Sequence, residues 1–163
     1  MDAKGAILAA MDTSHVVLRK YLDDLSDADL MRRPSEGSNH LAWQLGHLIS
    51  SEVGLLNMVS HGKGPELPEG FAERHAKTAC GNDDAAHFNS KQEYLELFER
   101  VNLASRELLA AFPENELDSP GPERFRAQFP TMGSLWILIA THPLMHAGQF
   151  AVARRLLGKP IVI

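Results

Sequence analysis

The sequence predicts an all-α protein, a four-helix bundle with a long crossover between its second and third helices. Three observations predict it. Four stretches carry apolar residues at helical spacing, and the segments between them collect most of the prolines and half of the glycines. At 163 residues the chain also suits one domain, residues 1–163, with an ample core.

The first helix runs from about Ala3 to Leu25. Ile7, Leu8, Met11, His15, Leu18, Leu22 and Leu25 follow a helical period, and no breaker interrupts after Gly5. His15 falls on the inward stripe and reads as a core histidine bonded to a neighbour. A polar joint, DDLSDADLMRRPSEGSN, follows, with Pro34 and Gly37 as breakers.

The second helix spans roughly His40 to Ser60, with Ser38 or Asn39 as its N-cap. One face is aliphatic: Leu41, Leu45, Leu48, Ile49, Leu55, Leu56 and Val59. The other, centred on His47, carries His40, Trp43, Gln44, Ser50, Ser51, Gly54 and Met58. Ser51 and Gly54 leave space beside an imidazole, which a cavity requires and which close helix packing also uses. Glu52 projects about 140° from His47 and so lies off this face.

Residues 61–89 show no sustained period and hold Gly62, Gly64, Pro65, Pro68, Gly70 and Gly81. A connection this long is uncommon inside a domain and usually has a job. It is long enough to run back along a helix, which would leave the second and third helices parallel. His75, Cys80 and His87 lie here at no usual metal-ligand spacing and read as exposed loop residues.

Ser90 and Glu93 form a capping box for the third helix, whose buried stripe is Tyr94, Leu97, Phe98, Val101, Leu108 and Phe112. Pro113 stops it. After a second proline-rich loop, Thr131 or Ser134 opens the fourth helix, TMGSLWILIATHPLMHAGQFAVARRLLGKP. His142 and His146 are four apart there, about 40° around the axis and one turn along it. Such a pair can share one metal ion, although eight histidines in this length would give a chance pair at roughly 0.4 expectation. Both lie within an apolar stripe that includes Leu135, Leu138, Ile139, Met145, Ala153 and Leu156. A buried imidazole needs hydrogen-bond partners or a metal, so the pair reads equally as core histidines or as ligands. Pro143 deletes a backbone hydrogen bond beside His142, and a kink is expected. The opposite face, Ile137, Ala140, Leu144, Ala147, Gly148 and Ala151, is small and apolar, which predicts a homodimer packed along this helix.

Composition narrows the partners. Sixteen basic against 21 acidic residues give a net charge of −5 without a basic stripe, which argues against nucleic acid. A single cysteine, Cys80, fits a reducing compartment. MDAKGAILAAMD carries acids on both sides of its short apolar run and is not a signal peptide, and Leu135–Ala140 is too short to span a bilayer. A cytoplasmic protein without a membrane partner is expected.

HLAWQLGHLISSE, a helical Gly-His followed by an acid, together with HPLMHAGQFAVARRLLGKP, resembles the DinB/YfiT-like superfamily over essentially the whole chain. The resemblance implies a four-helix bundle of uncommon connectivity, a frequent homodimer, and a divalent metal held by His47, His142 and His146. Zinc or nickel heads the metals that imidazole ligands suit. Pro143 departs from the usual pattern and loosens the placement of His142. His40, Trp43 and Ser51, on the His47 face of the second helix, and Gln149, on the histidine stripe of the fourth, are the candidate pocket residues, with Gln149 alternatively orienting a ligand histidine. Members with assigned activity use low-molecular-weight thiols such as bacillithiol or mycothiol. The implied function is thus a metal-dependent thiol S-transferase; a small metal-dependent hydrolase and a non-catalytic, stress-associated metal-binding dimer are the alternatives. Ligation by histidine implies that occupancy falls below pH about 6.

Overall fold

In the computed structural model, which describes residues 1–160 and 162–163, side-chain caps set where the helices begin. Helix α1 (Ala3–Leu22) opens on Asp2, whose carboxylate accepts from the Gly5 N–H. Its expected extension to Leu25 is not taken up: the chain leaves the helix after Leu22. The Lys91 ammonium gathers the freed carbonyls of Leu22, Asp23 and Leu25 at 3.4, 3.1 and 2.6 Å. A one-turn helix, α2 (Asp27–Leu30), follows with a Ser26/Asp29 capping box.

Helix α3 (Leu41–Val59) is capped by neither Ser38 nor Asn39. His40 does it, with its Nδ1 accepting from the Trp43 N–H at 3.1 Å. A second short helix, α4 (Phe71–Arg74), lies in the crossover. Ser90 and Glu93 form the expected capping box of α5 (Lys91–Ala111). Helix α6 (Met132–Leu156) uses both of its candidate starters, because Thr131 and Ser134 cap each other's backbone reciprocally. It runs unbroken through Pro143, which is buried.

Contacts along the four long helices fix their directions. From α1 to α6, Ser14 bonds the Ala140 carbonyl at 2.5 Å, and Arg154 bonds the Tyr21 carbonyl at 3.0 Å and the Asp24 carboxylate, so these two run parallel. From α3 to α5, the Glu52–Ser105 bond (2.5 Å) and the approach of His75, seated on Gly46, to Tyr94 (2.7 Å) make a second parallel pair. Lys4 reaches Ala110 and Phe112 while Arg19 reaches Glu99, so α1 and α5 are antiparallel. Gln44 meets His146 while Val59 and Trp136 share a groove, so α3 and α6 are antiparallel too. The order is up-down-down-up, and the crossover of residues 60–90 is what permits two successive helices to point the same way.

The core lies between these helices, with Leu18, Leu45, Leu56, Val101, Trp136 and Phe150 fully covered. His15 is half-buried, stacked on Phe98 and bonded to Glu99 at 3.1 Å, in line with its reading as a core histidine with a neighbour. The small face of α6 is not wholly free. Ala140 and Ala147 are buried, with Ser14 of α1 on the Ala140 carbonyl; Ile137, Leu144, Gly148 and Val152 remain exposed. Among the described residues no strand forms, and no helix is long and apolar enough to cross a membrane.

Candidate metal centre

The antiparallel crossing of α3 and α6 sets His47 against His142 and His146. Each offers one ring nitrogen, and these nitrogens all lie within 4.8 Å of one another. The ring centroids are 6.0 Å (His47–His142), 5.7 Å (His47–His146) and 5.0 Å (His142–His146) apart. Among the described residues no carboxylate or thiol joins the group.

Two of the rings are held from behind. Gln44, fully buried, donates its Nε2 to the Asn39 carbonyl at 2.8 Å, which turns its Oε1 toward His146 Nδ1 at 3.1 Å. His146 Nδ1 therefore carries its proton, and Nε2 keeps the lone pair that a metal needs. His47 lies flat against Trp43, with centroids 4.8 Å apart and planes 6° from parallel. Trp43 in turn donates to the Ala76 carbonyl at 3.1 Å. His142 differs: its Nδ1 is buried without a hydrogen-bond partner.

All three rings resist protonation. Burial is the main cause throughout. It lowers His47, helped by the Lys77 ammonium and opposed by the nearby His75 backbone. It takes His142 to about 4, with His47 repelling a second charge, and His146 to about 3, with His142 and His47 both adding. Near neutral pH the cluster is three uncharged imidazoles, the form in which histidine binds metal. Metal–nitrogen bonds of about 2.1 Å need nitrogens roughly 3–3.5 Å apart, so small rotations bring these onto one ion. The unpartnered Nδ1 of His142, the neutral rings and the braced tautomer of His146 all fit such an ion.

The cluster lies beside a cavity of about 400 Å³ lined by His47, His142, Ser51 and Gly54 and by the apolar Leu55, Met58, Leu138 and Met145. Lys77 and Arg124 complete it with Phe125. Of the four pocket residues expected from the sequence, only Ser51 lines it, with its hydroxyl 3.4 Å from His47 Nε2. His40 is buried as the α3 cap, bonded at 3.0 Å to the Asn82 carbonyl. Trp43 is buried behind His47 rather than in front of it. Gln149 is exposed, because the buried arc of α6 runs through Ile139, His146 and Phe150 while Gln149 and Met145 turn past His142 to solvent. The bracing role considered for Gln149 falls to Gln44.

His75 is the other correction. It is buried, not an exposed loop residue; Cys80 is intermediate and His87 exposed. Its Nδ1–H donates to the Phe71 carbonyl and its Nε2 accepts from the Tyr94 hydroxyl, both at 2.7 Å, and burial takes it to about 4. The ring packs on Gly46, where a Cβ would fall inside van der Waals contact. This explains the glycine before His47: any side chain there would strike the His75 ring. Periodicity could not find His75, since Gly46 and Tyr94, its partners on α3 and α5, are distant in sequence.

Fold and site together define an all-α bundle with a three-histidine cluster that could hold a metal ion. The sequence profile of the DinB superfamily matches residues 10–150, and the chain belongs to that family. No curated protein sequence matches it.

Proposed function

We propose that the protein is a divalent-metal enzyme that transfers or activates a small thiol, with His47, His142 and His146 as the ligands. The observation that carries this reading is three neutral imidazoles converging beside an open, largely apolar cavity, with no fourth protein ligand among the described residues. Structural zinc sites are normally closed by four protein ligands, whereas catalytic ones keep a position open. Zinc or nickel suits the donors. A cation held there would supply the charge that lowers the pKa of a coordinating thiol or water.

The protein's own residues supply the rest. Gln44 and the Trp43–His47 stack hold the donor atoms, while Leu55, Met58, Leu138 and Met145 exclude water from a bound substrate. Ser51 offers a hydroxyl beside His47. Among the described residues no aspartate or glutamate lines the cavity, and the nearby acid on α3, Glu52, is buried against Ser105 instead. That lack of a general base favours a thiol, which ionises readily on coordination, over a hydrolase that must activate water.

Elemental analysis of the purified protein beside His47→Ala tests the site. Near-stoichiometric transition metal lost in the variant supports it; no metal in either, and none acquired from zinc or nickel, returns the rings to the core. Turnover that needs an added thiol supports transfer, and turnover without one supports hydrolysis. Metal without any turnover leaves a non-catalytic binding protein. A homodimer belongs to the same reading, seated on the exposed Ile137, Leu144 and Val152 of α6.

A further inference from the structure

Lys77 and Arg124 come from different parts of the chain, one from a tight turn in the crossover (Lys77–Ala79), the other from a turn before α6 (Glu123–Phe125). Both line the same cavity. Neither is ion-paired among the described residues, although acids outnumber bases in the chain by 21 to 16. The Arg124 guanidinium lies over Phe125, 5.3 Å from its ring centre, a stacking that orients the group while leaving its N–H edge for another partner. The Lys77 ammonium is close enough to oppose protonation of His47. Two cations without counter-ions, beside an apolar cavity that no carboxylate lines, make a site of one sign.

We propose that the ligand of this cavity is an organic anion with an apolar body, its acid group held between Lys77 and Arg124 and its body against Leu55, Met58 and Leu138. The inference rests on the cavity being the substrate site, and it names the chemical class of that substrate. A neutral molecule of the same shape leaves both cations solvated and gains nothing from them. Two ion pairs at exposed side chains are worth about tenfold in affinity together, and salt screens them.

The test is calorimetric binding of 3-phenylpropionate and of its neutral amide, 3-phenylpropanamide, to the purified protein, to Lys77→Gln/Arg124→Gln and to His47→Ala. We expect the acid to bind about tenfold tighter than the amide, with the preference shrinking between 50 and 500 mM salt. The double variant should bind both alike, while His47→Ala retains the preference. Equal binding of the two probes to the unmodified protein overturns the proposal, as does failure of both to bind at millimolar concentration. A preference that survives the double variant overturns it as well, since the carboxylate is then held elsewhere, at the histidines for example. Metal content of the same samples keeps the readings apart: acid preference without metal sinks the metal enzyme alone, and metal without acid preference sinks this inference alone.

Discussion

His146 Nδ1 lies 3.1 Å from Oε1 of Gln44, one helix away, and the two side chains are buried together. The bond runs from a ring N–H to an amide oxygen that cannot turn, because its own nitrogen is committed to the Asn39 carbonyl. Replacing Gln44 with Leu keeps the volume and removes the acceptor. Metal affinity should fall about 10–100-fold, with helicity unchanged. Glu at this position restores the acceptor and should recover most of the affinity. Zinc titration of the two variants decides it; unchanged affinity in Gln44→Leu would mean that the bond does not support ligation.

Gly46→Ala drives a methyl group into a ring pinned at both nitrogens. Overpacking of this kind costs about 1–3 kcal/mol. Because the displaced ring sits on the residue next to His47, metal affinity should drop as well. Adding His75→Ala to Gly46→Ala should cost less than the two changes separately, since the shortened side chain makes room for the methyl. Urea denaturation of the four-member cycle measures this, and strict additivity would refute the wedge.

Glu52 is a carboxyl buried between α3 and α5, with the Ser105 hydroxyl as its partner, and burial pushes it up to about 7 from its ordinary 4.5. Its folded value exceeds the unfolded one, so its contribution is intact below pH 4.5 and is lost as pH rises through about 7. The loss amounts to about 3 kcal/mol by pH 8.5. Glu52→Gln cannot ionise. Its stability relative to the parent should rise between pH 5 and pH 8.5, and parallel profiles would show that the carboxyl does not titrate in this range.

The histidines act in the opposite sense. His75 and His142 are depressed to about 4 and His146 to about 3, so the unfolded chain binds more protons than the folded one below about 6.5. Their contribution is complete above that value and shrinks as pH falls toward 4. The metal-free protein should lose stability over this window with uptake of more than one proton, and bound zinc should move acid unfolding lower. Occupancy should also persist below the pH of about 6 expected for unperturbed imidazoles, because burial has already deprotonated the rings. Circular dichroism with and without zinc, against pH, checks both.

Leu144→Lys places a charge in the exposed stripe of α6, away from the cavity. If two copies meet there, sedimentation at micromolar concentration should show a dimer for the parent and a monomer for the variant, with metal content unchanged. A monomeric parent removes the dimer.

Much of this was readable because helices announce themselves locally. Apolar spacing, the Ser90–Glu93 box and the i, i+4 histidines each need only neighbouring residues, and the length of the 60–90 segment already implied parallel helices. The braces were illegible for the opposite reason. Gln44 and His75 act through partners on other elements, and a polar residue on a cavity face gives no sign of which neighbour it will bond. The cap by His40 was hidden because two better cap formers precede it, and Gln149 was misplaced by a helical wheel that cannot say where the buried arc ends.

One consequence of the crossing of α3 and α6 concerns the order of events in a newly made chain. His47 emerges in the first third of the sequence and His142 and His146 near its end, so the half-site on α3 waits while the crossover and α5 are synthesised. A chain that ends before His142 lacks two of the three donors. Metal uptake by the proposed site would therefore be a late event that reports on docking of the last helix, and the metal-to-protein ratio of a preparation would gauge how much of it has finished folding.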